Sequence, residues 1–213
     1  MSSFEGQVAD TIDLGRRRSA GRVGLMLWDI TQTVGLALLI FFSIRVVAQN
    51  FKVEGASMEP TLHNGQFLII VKAAYARIDG TPLERLVVNA NRHDPVFMFG
   101  GPERGDIAVF RSPTPPERDF IKRVVAVPGD LIEVRDGRVY LNATQQNEPY
   151  IRGPANYQSP PQVVPVGQYF VLGDNRSNSS DSHVWGFLPA DNLIGKAWLT
   201  YWPPQQWGVL SPN

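Results

Sequence analysis

A long apolar run near the amino terminus constrains the possible folds of this chain more than any other feature of its sequence. Residues 23–44 read VGLMLWDITQTVGLALLIFFSI, and Asp29 is their only charged side chain. As an α-helix, this run would be about 33 Å long, enough to cross a hydrocarbon core of roughly 30 Å. The sequence therefore predicts one membrane-spanning helix.

The charges on either side of the run predict its orientation. Arginines are concentrated just before it, whereas Arg45 and Lys52 are the only basic residues close behind it. The positive-inside rule then predicts that residues 1–22 are cytoplasmic, that residues 23–44 form the anchor, and that residues 45–213 form one β-rich domain outside.

Two other interpretations of the apolar run stay open. A basic stretch followed by an apolar run is typical of a cleaved secretory signal, and Val46 and Ala48 are small residues suitably placed for cleavage before Gln49. Arg45 disfavours this interpretation, because it lies between the run and the cleavage position. A helix buried in a protein core would also lack a polar face.

The charge, cysteine and motif content argues against several functions. The chain has 20 Lys+Arg and 20 Asp+Glu, so it has no overall positive charge to attract nucleic acid. It has no cysteine, which excludes disulfides and thiolate nucleophiles. The motifs G-x-x-x-x-G-K-[ST], G-x-G-x-x-G and H-E-x-x-H do not occur, and the three histidines are scattered. We therefore expect no cofactor, no metal and no nucleic-acid partner.

From residue 49 onward, short β-rich runs alternate with turn residues, which predicts a mostly β fold of several antiparallel sheets. Asp136-Gly137, between two alternating runs, predicts a hairpin with a type I′ turn. Residues 112–118 and 143–168 are expected to be loops. Residues 73–103 are ambiguous, since residues 82–89 fit one or two helical turns and residues 93–101 fit a loop. Strands are predicted over residues 51–54, 66–72, 106–111, 119–127, 131–135, 138–142, 169–172 and 195–201.

A serine in a tight turn is the first candidate for chemistry. Ser57 lies in GASMEPTL at 55–62, where a strand runs into small residues and then a proline. The small residues would let a peptide backbone approach closely, and N–H groups of the turn could face a developing oxyanion. Serines in turns are common, so this segment alone does not establish a nucleophile.

A lysine in an apolar strand is the second candidate. In DFIKRVVAV at 119–127, alternation places Lys122 on one face with Phe120, Val124 and Ala126. An apolar site disfavours the ammonium form and can lower a lysine pKa from about 10.4 to about 8. Lys122 is then a candidate general base, although a lysine that extends its amine to solvent from a strand edge fits the same pattern.

Together with the polar segment LGDNRSNSSDSH at 172–183, these runs resemble the motifs of bacterial type I signal peptidases. Members of this family are membrane-anchored Ser/Lys proteases that remove signal peptides from exported proteins. The similar segments, in the family's order and spacing, are GASMEPTL, RGDIAVF at 104–110, DFIKRVVAVPGD at 119–130 and GDNRSNSSDS at 173–182. NEPYI at 147–151 also looks familial, and the resemblance extends from the anchor to about Pro203.

The resemblance implies a role for each matching residue. Ser57 would be the nucleophile, Lys122 the general base, and Ser179 the hydroxyl that hydrogen-bonds the lysine amine and orients it. Asp181 would support this geometry. A pair between Asp174 and Arg123 would tie the lysine strand to the last motif.

The resemblance also implies where a substrate binds. The stretch before the cut would lie as an added strand between residues 51–55 and residues 119–122, the latter beginning with Asp119. Two shallow apolar pockets would accept small side chains of the Ala-x-Ala type. Phe51, Val53 and Ile121 would line the minus-three pocket, and Val53, Met58, Leu62 and Phe120 the minus-one pocket.

The sequence departs from the family pattern at two positions. Gly55 stands where many relatives carry a serine, so a side-chain donor to the oxyanion is missing. The Ser57 N–H remains, with the Gly55 backbone or water as the second donor. His183 stands where an arginine is frequent, so either Arg176 or His183 is expected to be the partner of Asp181.

The function implied by the resemblance is cleavage through an acyl-enzyme by a single-pass protein of the bacterial plasma membrane. The implied partners are signal peptides of preproteins, the bilayer and, functionally, the secretion translocon. Two rivals remain. A self-cleaving repressor-type Ser/Lys peptidase would need a DNA-binding module, for which the first 50 residues leave no room. A membrane-tethered β module that binds peptides without cutting them is the other rival.

Overall fold

The computed structural model describes residues 26–45, 47–77 and 95–211, and the chain divides into two units at the boundary between Arg45 and Val46. The first unit contains helix α1, Met26–Arg45, which at about 30 Å is long enough to cross a membrane. None of its apolar window is buried within the protein. This exposure argues against a core helix. The first three residues of the predicted span lie outside the described residues.

The second unit is built from two antiparallel sheets. The strands are β1 Ala48–Lys52, β2 Phe67–Val71, β3 Ile107–Arg111, β4 Asp119–Ala126, β5 Leu131–Arg135, β6 Arg138–Leu141, β7 Thr144–Gln145, β8 Ser159–Val163, β9 Gln168–Leu172, β10 Leu188–Pro189, β11 Leu193–Trp202 and β12 Gly208–Val209, and a short helix, α2, spans Ser182–Trp185. In the larger sheet the strand order is β1-β2-β11-β3-β4-β9-β10, with β12 paired to β11, and in the smaller sheet it is β7-β6-β5-β8. The predicted mostly β fold is confirmed.

The predicted hairpin is confirmed. Arg135 of β5 pairs with Arg138 of β6, and the two turn residues between them have the positive φ angles that a type I′ turn needs, 53° at Asp136 and 73° at Gly137. Glycine adopts such an angle without strain, and aspartate tolerates it better than most residues. The turn therefore sets the register of the smaller sheet.

The predicted loop at residues 143–168 is wrong in two places, because it contains β7 and β8. Leu131 of β5 pairs with Val163 of β8, although β8 includes Pro160 and Pro161. Proline lacks the N–H that a central strand must donate, but β8 is an edge strand of the smaller sheet, where this loss is tolerated. The loop at 112–118 is confirmed, and the predicted helical turns at 82–89 lie outside the described residues.

Strand β4 lies where the apolar cores of the second unit meet. Ile121 packs with one cluster, which also contains Leu68 and Ile70 of β2. Val124 packs with a second cluster and Ala126 with a third. Every residue from 121 to 126 is buried. The strand predicted to carry a half-buried lysine is therefore buried on both faces.

Three tryptophans of the second unit remain on its surface. Trp198, Trp202 and Trp207 are 48%, 53% and 72% exposed. Trp198 and Trp202 lie on β11, and Trp207 directly precedes β12, which pairs with β11. Val209 of β12 is also exposed. This part of the larger sheet thus presents large apolar side chains to its surroundings.

Candidate active site

A cleft of about 740 Å³ lies between residues of β1 and residues of the first half of β4. In the part of the chain that the structure describes, β1 pairs only with β2. Within the same part, the first half of β4 pairs only with β3, because β9 begins to pair with β4 at Arg123. Unpaired edges present free main-chain N–H and C=O groups. The cleft therefore has the form of a slot for one additional strand.

Ser57 and Lys122 meet at one end of this cleft. The chain leaves β1 and turns sharply at Ser57, and Lys122 lies in the middle of β4. The Lys122 Nζ atom is 2.5 Å from the Ser57 Oγ atom, a hydrogen-bond contact between residues 65 positions apart in sequence. The serine hydroxyl and the lysine amine can therefore exchange a proton directly.

The environment of Lys122 favours its neutral form. Its side chain is almost fully buried, with 3% of the residue exposed. Burial lowers the pKa of the Lys122 amine from 10.5 to about 8, and the carboxylates of Asp181 and Asp174 oppose this by favouring the ammonium form. A substantial fraction of the protein therefore holds an uncharged amine next to Ser57 at a mildly alkaline pH.

The turn around Ser57 is held by the last sequence motif. The Asn175 backbone N–H donates to the Ser57 carbonyl at 3.0 Å, and the Asn175 side-chain amide donates to the Ala56 carbonyl at 3.0 Å. Gly173 approaches the same turn so closely that an added Cβ atom would lie 2.5 Å from the Ser57 carbonyl oxygen and would overlap Ser179. The serine position therefore depends on residues far along the chain.

The structure narrows the choice of oxyanion donors. The Gly55 N–H donates to the Asn64 side chain at 3.0 Å, so it is already engaged. Among the described residues, the Ser57 N–H makes no hydrogen bond to the protein. The φ angle of Gly55 is 87°, a conformation in which a serine would be strained. The Ser57 N–H therefore remains available as a backbone donor to an oxyanion, whereas the Gly55 N–H does not.

A buried ion pair joins the lysine strand to the last motif. Arg123 donates to both carboxylate oxygens of Asp174, at 2.9 and 2.8 Å, and the two side chains are 1% and 0% exposed. Thr61, just after the serine turn, donates to the same carboxylate at 2.5 Å. The guanidinium also stacks on Tyr150, 3.8 Å from the ring centroid. This network ties three sequence motifs and the NEPYI segment together.

The partner of Asp181 is His183. The His183 Nδ1 atom lies 2.6 Å from an Asp181 carboxylate oxygen, and the imidazole stacks on the Tyr157 ring at a centroid distance of 3.6 Å. The other candidate, Arg176, instead pairs with Glu148 in a buried contact of 2.5 Å. The question that the sequence left open between Arg176 and His183 is thereby answered.

Ser179 lies in the cleft wall, but the contact expected for it does not form. Its Oγ atom is buried and has no hydrogen-bond partner among the described residues. The Lys122 amine contacts Ser57 instead. A buried hydroxyl without a partner is costly, so Ser179 Oγ is free to bond the amine or a water molecule when Ser57 reacts.

The residues expected to line the substrate pockets divide into two groups. Phe51, Asp119, Phe120 and Ile121 do line the cleft. The contribution of the other three to the substrate pockets stays a prediction. They are at most 2% exposed and pack in the same core cluster as Ile121, which lines the cleft. These core residues are Val53, Met58 and Leu62.

Sequence reasoning missed several residues that hold the site together. Asn175 and Thr61 lie inside recognised motifs, but nothing in their type predicts which distant backbone or carboxylate group they contact. Glu148 and Tyr150 lie in NEPYI, where a glutamate and a tyrosine in a loop would ordinarily be solvent-exposed. The signal that could have indicated them was the combination of a charged and an aromatic residue on either side of Pro149.

Comparisons with known proteins identify the family of this chain. The family described as "Signal peptidase, peptidase S26" matches residues 27–202. "Signal peptidase I" of Leptolyngbya laminosa is 37% identical over 87% of this chain and 85% of its own. "Probable signal peptidase I-1" of Synechocystis sp. is 40% identical over 82% and 80%, and "Thylakoidal processing peptidase 1, chloroplastic" of Arabidopsis thaliana is 36% identical over 75% and 44%. The chain therefore belongs to the peptidase S26 family of signal peptidases.

Proposed function

We propose that the protein is a type I signal peptidase in which Ser57 and Lys122 act as a catalytic dyad. The contact of 2.5 Å between the serine hydroxyl and the lysine amine carries this proposal. The lowered pKa of the buried amine, about 8, supports it, because only the neutral amine can accept a proton.

The proposed reaction proceeds in two steps. Neutral Lys122 takes the hydroxyl proton as the Ser57 oxygen attacks the carbonyl of the residue before the cut, and the Ser57 N–H donates to the developing oxyanion. The Lys122 ammonium then gives its proton to the leaving amine as the peptide C–N bond breaks. In the second step, Lys122 takes a proton from water, whose oxygen attacks the ester carbonyl. The bond between the acyl carbon and the Ser57 oxygen then breaks, the Lys122 ammonium returns the proton to that oxygen, and the signal peptide leaves with a new carboxylate.

The shape of the cleft supports cleavage after small residues. An extended peptide between β1 and β4 would hydrogen-bond to both free edges and direct alternate side chains at the cleft walls. Phe51, Phe120 and Ile121 supply apolar wall on the approach to Ser57. The buried side chains of Val53 and Met58 limit the depth of that wall. We infer shallow subsites that accept alanine-sized side chains, as in an Ala-x-Ala sequence.

A cleavage assay tests the function and separates it from the peptide-binding rival. Purified full-length protein in detergent should cut a preprotein that carries Ala-x-Ala, and Ser57→Ala should lower the rate by at least about 1000-fold, since the nucleophile is lost. The products are measured by gel and mass spectrometry. Binding of the preprotein without any cleavage by the wild type would favour the peptide-binding module and reject the peptidase.

The proposal includes a membrane location. One apolar helix and signal peptidase relatives are consistent with a membrane-anchored enzyme. We infer a single pass in the bacterial plasma membrane, with residues 1–22 in the cytoplasm and a catalytic domain outside that meets preproteins as they leave the translocon. The exposed Trp198, Trp202 and Trp207 suit a contact with the bilayer interface.

Protease protection tests the proposed orientation. Trypsin added outside intact spheroplasts should degrade the catalytic domain, and the same protein should be equally degraded after lysis. A catalytic domain that resists trypsin until the cells are lysed, while an external marker protein is digested, would reverse the orientation.

A further inference from the structure

A second cleft, of about 340 Å³, adjoins the candidate active site. It shares Ser177 and Asn178 with the first cleft. Its other walls include Arg152 and Asn175, and Asn175 is also the residue that holds the Ser57 turn. The second cleft therefore begins where the catalytic end of the first one stops.

The direction of the strands indicates what this second cleft would receive. Strand β1 runs toward Ser57, and β4 runs from Asp119 toward Lys122. If the peptide runs parallel to both strands, as the proposed function takes it to do, its residues before the cut lie between these edges and lead up to the catalytic pair. The residues after the cut then leave the slot beyond the pair, and Ser177 and Asn178, which line both clefts, connect the first cleft to the second. The chain behind the cut thus leads toward the second cleft.

The second cleft has one cationic side chain that is accessible to solvent, Arg152. The Arg152 side chain is 63% exposed, and it donates to Glu59 at 2.8 Å. The other arginine of the cleft, Arg176, is fully buried and is neutralised by Glu148. Because Arg152 has five N–H donors and one of them serves Glu59, it can still bind a second carboxylate.

We propose that the second cleft binds the first residues of the mature protein and that Arg152 favours an acidic side chain among them. This inference rests on the proposed function, because it takes Ser57 and Lys122 as the site of the cut. Arg152 directly follows the NEPYI segment, and its backbone N–H donates to the Asp174 carbonyl at 3.3 Å. The arginine is therefore held at a fixed distance from the catalytic motifs.

Two peptide substrates test the proposal on the full-length protein. Both contain the same Ala-x-Ala sequence, and they differ only in carrying two aspartates or two lysines at the second and third positions after the cut. The wild type should cut the aspartate peptide with a kcat/KM about 5-fold higher at low salt, and 1 M salt should reduce this ratio, as it does for exposed charge pairs. Arg152→Glu should reverse the preference.

Arg135→Glu is the matched control. Arg135 is also about half-exposed and paired with a single glutamate, Glu133, but it lies at the hairpin of the smaller sheet, so its substitution should leave the ratio unchanged. Glu59→Gln frees Arg152 from its internal partner and should increase the ratio, which tests the idea even if Arg152→Glu folds poorly. If the wild type, Glu59→Gln and Arg152→Glu all show the same ratio of kcat/KM for the aspartate and lysine peptides, the inference is overturned. A wild type that cuts neither peptide would instead overturn the proposed function.

Discussion

Replacement of Lys122 by methionine is expected to abolish cleavage and, at the same time, to stabilise the protein at pH 7. The catalytic effect follows from the loss of the base that takes the Ser57 proton. General acid–base catalysis typically accelerates a reaction by about 10²- to 10⁴-fold. Methionine has a similar length and no charge, so it fills the same buried site between the cores.

The stability effect follows from the pKa of Lys122. Because burial lowers this pKa from 10.5 to about 8, the unfolded chain binds the lysine proton more tightly than the folded protein. Stability therefore rises with pH between about 8 and 10.5. Below about pH 8 the folded protein bears the full free-energy cost of the buried Lys122 ammonium, roughly 3 kcal/mol. Lys122→Met removes this cost but also loses the contact with Ser57. A net gain of about 1–3 kcal/mol at pH 7 is expected in urea unfolding.

Lys196→Met is the control for this experiment. Lys196 pairs with Asp106 at 2.6 Å, and Asp106 is 1% exposed. Removal of this lysine leaves a buried carboxylate without its cation, so stability should fall rather than rise. If Lys122→Met retains more than a tenth of the wild-type kcat/KM, or lowers stability as Lys196→Met does, Lys122 is not a strained catalytic base.

Gly173→Ala is expected to reduce kcat about 100-fold with only a modest loss of stability. An added Cβ atom would lie 2.5 Å from the Ser57 carbonyl oxygen and would overlap the Ser179 side chain. Both groups must then move, and a displacement of reacting atoms by about 1 Å can cost 10²-fold in rate. Overpacking itself costs about 1–3 kcal/mol. Steady-state kinetics and urea unfolding of the same variant separate the two effects.

Gly208→Ala provides a comparison without crowding. Gly208 lies in β12, has no heavy atom within 4 Å of an added Cβ and does not have a positive φ angle. This variant should retain wild-type kinetics. If Gly173→Ala also keeps wild-type kcat while it loses stability, the close approach of the last motif supports folding alone and does not position the serine.

Local patterns were sufficient to predict the elements that depend on neighbouring residues. The Asp136-Gly137 turn follows from the φ angles of those two residues, and α1 follows from a long apolar run with a single charged residue. Strand β8 could not be predicted in this way. Its two prolines are tolerated only because it is an edge strand beside β5, and edge position is a property of the assembled sheet.

The same limit applied to the site. The resemblance to a family identified Ser57 and Lys122, but the sequence alone could not show that they are 2.5 Å apart. Nor could it show that Arg176 pairs with Glu148 and leaves Asp181 to His183. Such pairings depend on how distant segments meet, and a charged residue has several possible partners of equal chemistry.

The pH dependence of kcat/KM for an Ala-x-Ala substrate tests the central claim most directly, namely that a neutral Lys122 amine is the base for Ser57. The account predicts that the rate rises about tenfold per pH unit in the acidic range and levels off around the pKa of Lys122, about 8. A profile that levels off near about 6.5, the ordinary pKa of histidine, or that shows no inflection between about pH 7 and 9, would contradict it.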